Sequence, residues 1–260
     1  SIGKIFKKKY VWKKNCYRNG CGHHFQLDER ASQINEMKIE YLKELFNTFG
    51  ENLKFDYNLK KRTWFNIGGK TKIFYKAENL KELVNFLKKI NNKEKIFILG
   101  AGSNTLITDN FFDGIVIKLG NTFNNISLLG EDVIIAGSGV LDKALSNFAI
   151  DNGLGGFEFL SGIPGTVGGG IKMNAGCFGS EFKDILISIQ AIDKLGNIIT
   201  IPKKDINFEY RNNNLSDDLI YLSASFKGIK AQIKDIKNKT LRLRKEKEKN
   251  QPTRIKTSGR

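Results

Sequence analysis

Long apolar runs are missing from this 260-residue chain, and nowhere does it hold enough consecutive hydrophobic residues to cross a bilayer as a helix. The opening residues, Ser1-Ile-Gly-Lys-Ile-Phe-Lys-Lys-Lys-Tyr10, lack the apolar centre of a signal peptide, so a cytoplasmic protein is expected. Cysteine is scarce. The three present, Cys16, Cys21 and Cys177, make no even-numbered disulfide framework, which fits a reducing compartment. Histidine is scarcer still, with only His23 and His24. They stand close to Cys16 and Cys21, but the spacing matches no standard zinc finger, and no metal site is expected.

Acidic residues are outnumbered: 43 Lys+Arg against 27 Asp+Glu leave a formal net charge of +16. Such an excess can serve nucleic acid or an anionic membrane. Here the lysines are scattered along the whole chain beside abundant Asn, Ile and Phe, with few Pro and His, the composition that AT-rich codons produce. Neither nucleic acid nor a membrane is therefore expected as a partner, and the charge favours anionic substrates without identifying one. The 40% hydrophobic share supports a core, in one large domain or two modest ones.

Residues 1–28 read as an irregular basic extension. Over 29–49, Ile34, Met37, Tyr41, Leu45 and Thr48 recur at three- and four-residue steps, an amphipathic helix ending near Gly50. A βαβ-like unit follows: a strand over 72–77, a helix capped by Asn79, and a short strand over 96–99 that runs into a glycine turn. Further strands are expected at 114–118 and 133–136. A helix at 141–152 would turn Leu141, Leu145, Phe148 and Ala149 inward, with Gly153 just past its end. A hairpin joins 185–193 to 198–201 through Lys194-Leu-Gly-Asn197. Over 220–226, Ile220, Leu222, Ala224 and Phe226 alternate with Tyr221, Ser223 and Ser225, a half-buried strand, and 231–250 is a charged helix read as a solvated connector.

What the chain does have is glycine in two concentrated places. Leu99-Gly-Ala-Gly-Ser-Asn-Thr-Leu106 follows a strand, yet it misses the last glycine of G-x-G-x-x-G and the Lys-Ser/Thr of a P-loop, so both common nucleotide folds are disfavoured. Ser161-Gly-Ile-Pro-Gly-Thr-Val-Gly-Gly-Gly170 with Met173-Asn-Ala-Gly176 is denser, with six glycines from Gly162 to Gly176. Each glycine costs up to about 1 kcal/mol of ordering relative to alanine, more than a plain turn requires. Main-chain N–H groups in such segments can converge on an anion. Two of them suggest a ligand with a diphosphate in its middle, as a dinucleotide cofactor has. Gly168-Gly-Gly170 would let a ring or phosphate lie on the backbone, and the Asn174 amide could read a ring edge.

These residues resemble the UDP-N-acetylenolpyruvoylglucosamine reductase family. The two glycine segments look like its FAD-binding loops, Arg62-Thr-Trp-Phe-Asn-Ile-Gly-Gly69 like its opening motif, and Phe208-Glu-Tyr-Arg211 like its Tyr-Arg motif. The resemblance runs from about Asn58 to the C-terminus. It implies an α+β, two-lobed FAD-binding domain of the vanillyl-alcohol-oxidase/PCMH type over 58–230, with lobe one about 58–120 and lobe two about 121–230. Residues 1–50 would be an added extension and helix. It also implies FAD and NADPH as cofactors, a UDP-sugar substrate, and hydride delivery to an enolpyruvyl double bond in peptidoglycan synthesis. The implied cofactor-binding residues are Gly100, Ala101, Gly102, Ser103, Asn104, Thr105, Gly137, Gly162, Ile163, Pro164, Gly165, Thr166, Gly169, Gly170, Asn174, Ala175 and Gly176. Tyr210 would touch substrate. Arg211 would be the catalytic cation that meets the enolate-like charge, which develops only in the transition state.

The family pattern breaks at the end of the chain. Gln251-Pro252 is followed by Thr257-Ser-Gly259, and Arg260 stands where the family has its proton-donating serine. The later substrate-binding domain, with its glutamate, is missing, so residues 231–260 are expected to lead to an absent domain and the fragment to bind FAD without turnover. Two other readings are another PCMH-type flavin oxidoreductase and a basic nucleic-acid-binding module. The latter leaves both glycine segments unexplained.

Overall fold

The computed structural model describes residues 40–91 and 94–250. The expectations placed on residues 1–39, including Cys16, Cys21, His23 and His24, and on 251–260, including Ser258 and Arg260, lie outside the described residues. A helix over 40–49 (α1) stops where Gly50 takes φ +56°, a conformation that suits glycine. One compact unit begins at Thr48 and carries everything that follows.

Its first layer is a four-stranded sheet of β1 (Leu53–Asn58), β2 (Lys70–Ala77), β3 (Ile96–Ile98) and β4 (Phe112–Leu119), in the order β1-β2-β4-β3. β1 runs antiparallel to β2, whereas β2, β4 and β3 are parallel. The crossover helix α2 (Leu80–Ile90) starts where the Asn79 side chain accepts the Glu82 N–H at 2.9 Å, the cap expected from the sequence. Leu83, Phe86, Leu87 and Ile90 of α2 are buried, each stabilising by roughly 1.5–3 kcal/mol. The Phe86 ring stacks on Tyr75 of β2 at 3.9 Å. On the opposite face, Phe74, Val116, Leu59 and Leu99 form a small apolar cluster.

The second layer is antiparallel: β5 (Ile126–Leu129), β6 (Val133–Gly137), β10 (Leu186–Ile192), β11 (Ile198–Pro202) and β12 (Ile220–Lys227), in the order β11-β10-β12-β6-β5. Short pairs β7 (Leu154–Gly155) with β13 (Ile229–Lys230), and β8 (Gly176–Cys177) with β9 (Ser180–Glu181), complete the strands. Helices α3 (Asp142–Asp151), α4 (Val167–Lys172) and α5 (Phe182–Ile185) bring Leu145, Ala149, Ile171 and Phe182 into one core with Ile134, Ala136, Phe157 and Phe226. The hairpin turn is closed by Asp193, whose Oδ1 accepts the N–H groups of Leu195 and Asn197 at 2.8 and 2.9 Å.

Four local expectations need correction. Leu141 does not turn inward: it caps α3 in an extended conformation and is 55% exposed. Tyr221 is buried although it alternates with the apolar face, because its hydroxyl accepts from Asn213 Nδ2 at 2.7 Å beneath the second sheet. Gly168-Gly-Gly170 belongs to helix α4 rather than to an open loop. The charged helix α6 (Ile233–Asn250) is more than a connector: Ile236 and Thr240 are buried, and it packs on the 3₁₀ turn Glu158–Gly162.

Candidate functional site

The first glycine turn grows out of β3, and its Gly100 and Gly102 carbonyls are tied back into the protein. Lys118 Nζ donates to the Gly100 carbonyl at 2.9 Å, and the Trp64 N–H donates to the Gly102 carbonyl at 2.8 Å. Gly102 takes φ +69°, and a Cβ there would stand 2.2 Å from the Arg62 carbonyl oxygen. Only glycine allows the Arg62-Thr-Trp segment to lie so close. With the carbonyls held behind, the main-chain N–H groups of Gly100, Ala101, Gly102, Ser103, Asn104 and Thr105 donate to no other described residue. Main-chain donors left this way in a turn are what an anion-binding nest requires.

The second segment has the same construction. The Gly165 carbonyl accepts the Asp142 N–H at 3.1 Å, Thr166 O accepts from Gly170 N at 2.8 Å, and Gly162 O accepts from Lys247 Nζ. The N–H groups of Gly165, Thr166 and Gly169 find no acceptor among the described residues, and Pro164 has none to offer. Ile163 is packed against the second core, and its N–H bonds to Leu160 O at 3.0 Å. Far apart in sequence, the two segments touch: a Cβ on Gly100 would lie 2.7 Å from Thr166 Oγ1.

The glycines of α4 divide by task. A Cβ on Gly170 would stand 2.2 Å from Phe182 Cε2, and one on Gly168 would stand 2.9 Å from Ser138 Cβ, so these two serve helix packing. Gly169 is exposed, and its nearest neighbour would be Thr166 Oγ1 at 3.5 Å, which leaves that face open to a ligand. Gly137 is also explained by packing, since a Cβ there would meet the Phe123 carbonyl oxygen at 2.1 Å.

Beside the second segment opens a cleft of about 530 Å³ lined by Asn174, Gly176, Cys177, Phe178, Lys183, Glu181, Tyr210 and Arg211, among others. The two features adjoin, because a Cβ on Gly162 would lie 2.9 Å from Phe178 Cε2 and 3.0 Å from Cys177 Sγ. Arg211 sits over the Tyr210 ring at 5.7 Å, and Tyr210 is 84% exposed. Arg211 (φ +59°), Phe178 (φ +58°) and Asn174 (φ +40°) all take left-handed backbone, a strain of about 1–3 kcal/mol each that gathers at functional sites.

Asn174 does not read a ring edge as expected. Its Nδ2 donates to Glu181 Oε2 at 2.9 Å and Glu209 O at 3.2 Å, and its Oδ1 accepts the Lys183 N–H at 3.1 Å. The amide instead ties strand β9, the start of helix α5 and the loop at Glu209 together in the cleft wall. The neighbouring Ala175 is buried, and its carbonyl accepts the Phe182 N–H at 3.1 Å; a Cβ on Gly176 would stand 2.7 Å from Ser180 O. Hydrogen bonds from Lys183 and Asn174 hold the Glu181 carboxyl below its usual range, and Glu181 in turn raises Lys183. Burial pushes the Cys177 thiol up, outweighing the lowering pull of Lys247 and Arg211.

Sequence reasoning missed Lys118, Lys183, Glu181 and Cys177. Lys118 is invisible without the pairing of β4, whereas Lys183 and Glu181 stand close after Asn-Ala-Gly and carried a signal only in that proximity.

The comparisons with known proteins agree with this geometry. A family described as "FAD binding domain" matches residues 71–202. The chain is 60% identical over 223 residues to UDP-N-acetylenolpyruvoylglucosamine reductase of Pelagibacter ubique, covering 86% of this chain and 74% of that protein. The reductase of the same name from Rickettsia typhi is 46% identical over 206 residues, 79% of this chain and 70% of the relative. Among solved structures, UDP-N-acetylenolpyruvylglucosamine reductase of Thermus caldophilus superposes with a TM-score of 0.69 at 28% identity, covering 80% of this chain and 72% of that one. Alkyldihydroxyacetonephosphate synthase, at TM-score 0.52 and 15% identity over 74% of this chain and 40% of its own, shares the fold alone.

Proposed function

The chain belongs to the UDP-N-acetylenolpyruvoylglucosamine reductase family, and from that premise we propose which of its residues carry the reaction. Its fold is the α+β FAD-binding fold of PCMH type. The activity of its family is the FAD-dependent, NADPH-using reduction of UDP-N-acetylglucosamine enolpyruvate in peptidoglycan synthesis, and this chain carries the FAD-binding part of it. We assign lobe one to about 58–120, lobe two to about 121–230, and a cytoplasmic location with no nucleic acid or membrane partner. No described helix is long and apolar enough to cross a membrane.

The residues present fit FAD. Two glycine segments hold their carbonyls inward and leave N–H groups unpaired where they meet, a cradle that added Cβ atoms would fill. When bound, FAD supplies the hydride chemistry that links NADPH to the enolpyruvyl double bond. The N–H groups of Gly100 to Thr105, with those of Gly165, Thr166 and Gly169, would hold its diphosphate. Gly162 and Ile163 set the wall between this cradle and the cleft. Gly137, Gly170, Asn174, Ala175 and Gly176 act through the backbone they position.

In the cleft, Arg211 meets the substrate carboxylate. Hydride addition leaves negative charge on the carbon beside that carboxylate, and the Arg211 guanidinium, which lies over the Tyr210 ring at 5.7 Å, is the cation that stabilises it. Tyr210 offers its exposed ring to the substrate, and Lys183, kept charged by Glu181, adds to the positive field. Cys177 remains a neutral thiol in the wall.

One observation carries the cofactor assignment: Gly100 and Thr166 stand in contact, so one diphosphate can reach both segments. The test is spectroscopic. The purified chain is expected to show flavin absorbance bands, and Arg211→Ala should keep them while weakening binding of the enolpyruvyl UDP-sugar at least about tenfold, the effect of losing a hydrogen bond to a charged group. Substrate binding unchanged in Arg211→Ala would refute the role.

A further inference from the structure

Lys118, which holds the Gly100 carbonyl of the first glycine turn, stands in a cluster of cations. In the parallel register of β2 and β4, Lys76 stands directly opposite Lys118, so two ammonium groups share one face of the sheet. Like charges so placed destabilise a strand pair. Lys76 is compensated by Glu78 at 2.5 Å, whereas Lys118 has no carboxylate partner among the described residues and donates instead to the Gly100 carbonyl. Arg62 adds a third cation. Its guanidinium lies over the Phe74 ring at 5.3 Å, and Phe74 shares strand and face with Lys76.

The cluster sits at the carboxyl ends of the parallel strands, the usual ligand end of such sheets, where β3 passes into the glycine turn. Burial, then the charges of Arg62 and Lys76, lower the hold of Lys118 on its proton. A half-buried ammonium kept against like charge and bonded to a carbonyl of an anion-binding turn is short of one thing, an anion.

We propose that Lys118 is a binding residue for the cofactor's diphosphate, with Arg62 raising the local potential. One ammonium proton goes to the Gly100 carbonyl, and two more remain to be offered to a phosphate oxygen bound at the turn. A phosphate there relieves the repulsion between Lys76 and Lys118 and gives Lys118 the counter-charge it lacks. The inference rests on the FAD reading of the preceding subsection.

The test titrates the flavin-free full chain with FAD and with riboflavin, which lacks the diphosphate, following flavin fluorescence at two ionic strengths. Lys118→Met should weaken FAD at least about tenfold, the fold-change for a lost charge-assisted hydrogen bond, and should blunt the salt dependence of binding. Riboflavin affinity should be unchanged, and Lys118→Arg should stay close to the parent. FAD affinity within twofold of the parent in Lys118→Met overturns the proposal. So does an equal loss of FAD and riboflavin, which would mean that Lys118 merely shapes the turn. If the parent chain takes up no FAD at all, the cofactor reading itself fails and this inference fails with it.

Discussion

Asp142 is the residue whose environment is most at odds with its chemistry. It is fully buried, and neither carboxyl oxygen has a hydrogen-bond partner among the described residues; the buried Ser146 and Ser138 hydroxyls are in the same position. Burial alone pushes its pKa up to about 8. Its place in the first turn of α3 favours the carboxylate by at most about 2 kcal/mol, too little to offset the loss of water. A folded-state value above the unfolded one means the native protein holds a proton that the unfolded chain releases. Stability therefore falls as pH rises from about 4 to about 8, by up to about 1.4 kcal/mol per pH unit from this group. Asp142→Asn should remove that slope and leave the variant more stable than the parent at pH 8, measured by urea unfolding between pH 5 and 8. Parallel curves for the two proteins would show that Asp142 is ionised in the fold. Nothing in the sequence marks Asp142 this way, because an Asp at a helix start reads as an ordinary exposed cap.

At the scale of elements, the glycines of α4 separate packing from binding. Gly170→Ala would drive a methyl into the rigid Phe182 ring and should destabilise by about 1–3 kcal/mol in thermal or urea unfolding. Gly169→Ala meets nothing closer than 3.5 Å, so stability should hold or rise by up to about 1 kcal/mol while FAD affinity drops about three- to tenfold. Equal stability losses in both variants would count against this division. These glycines also show what was legible. Helix α2 was readable because its apolar period and Asn79 cap agree. Helix α4 was not, because a glycine run carries no apolar period and its helical state comes from packing against Ser138 and Phe182. Leu141 was placed on the wrong side because helical periodicity was extended one residue into an extended cap.

For the whole molecule, the motifs announced a diphosphate-binding pair, but only the fold could bring the pair together. A parallel sheet delivers the Gly100 turn, an antiparallel layer delivers Thr166, and Gly162 then joins the cradle to the Arg211 cleft. The Lys118 cluster is likewise a product of strand register and not of any local pattern. A crystal structure of the chain with FAD is the most direct examination of this arrangement. The diphosphate should lie within about 3 Å of main-chain N–H groups from both the Gly100–Thr105 turn and the Gly165–Gly169 segment. Phosphates bound by one segment alone, or seated against Arg211 in the cleft, would contradict it.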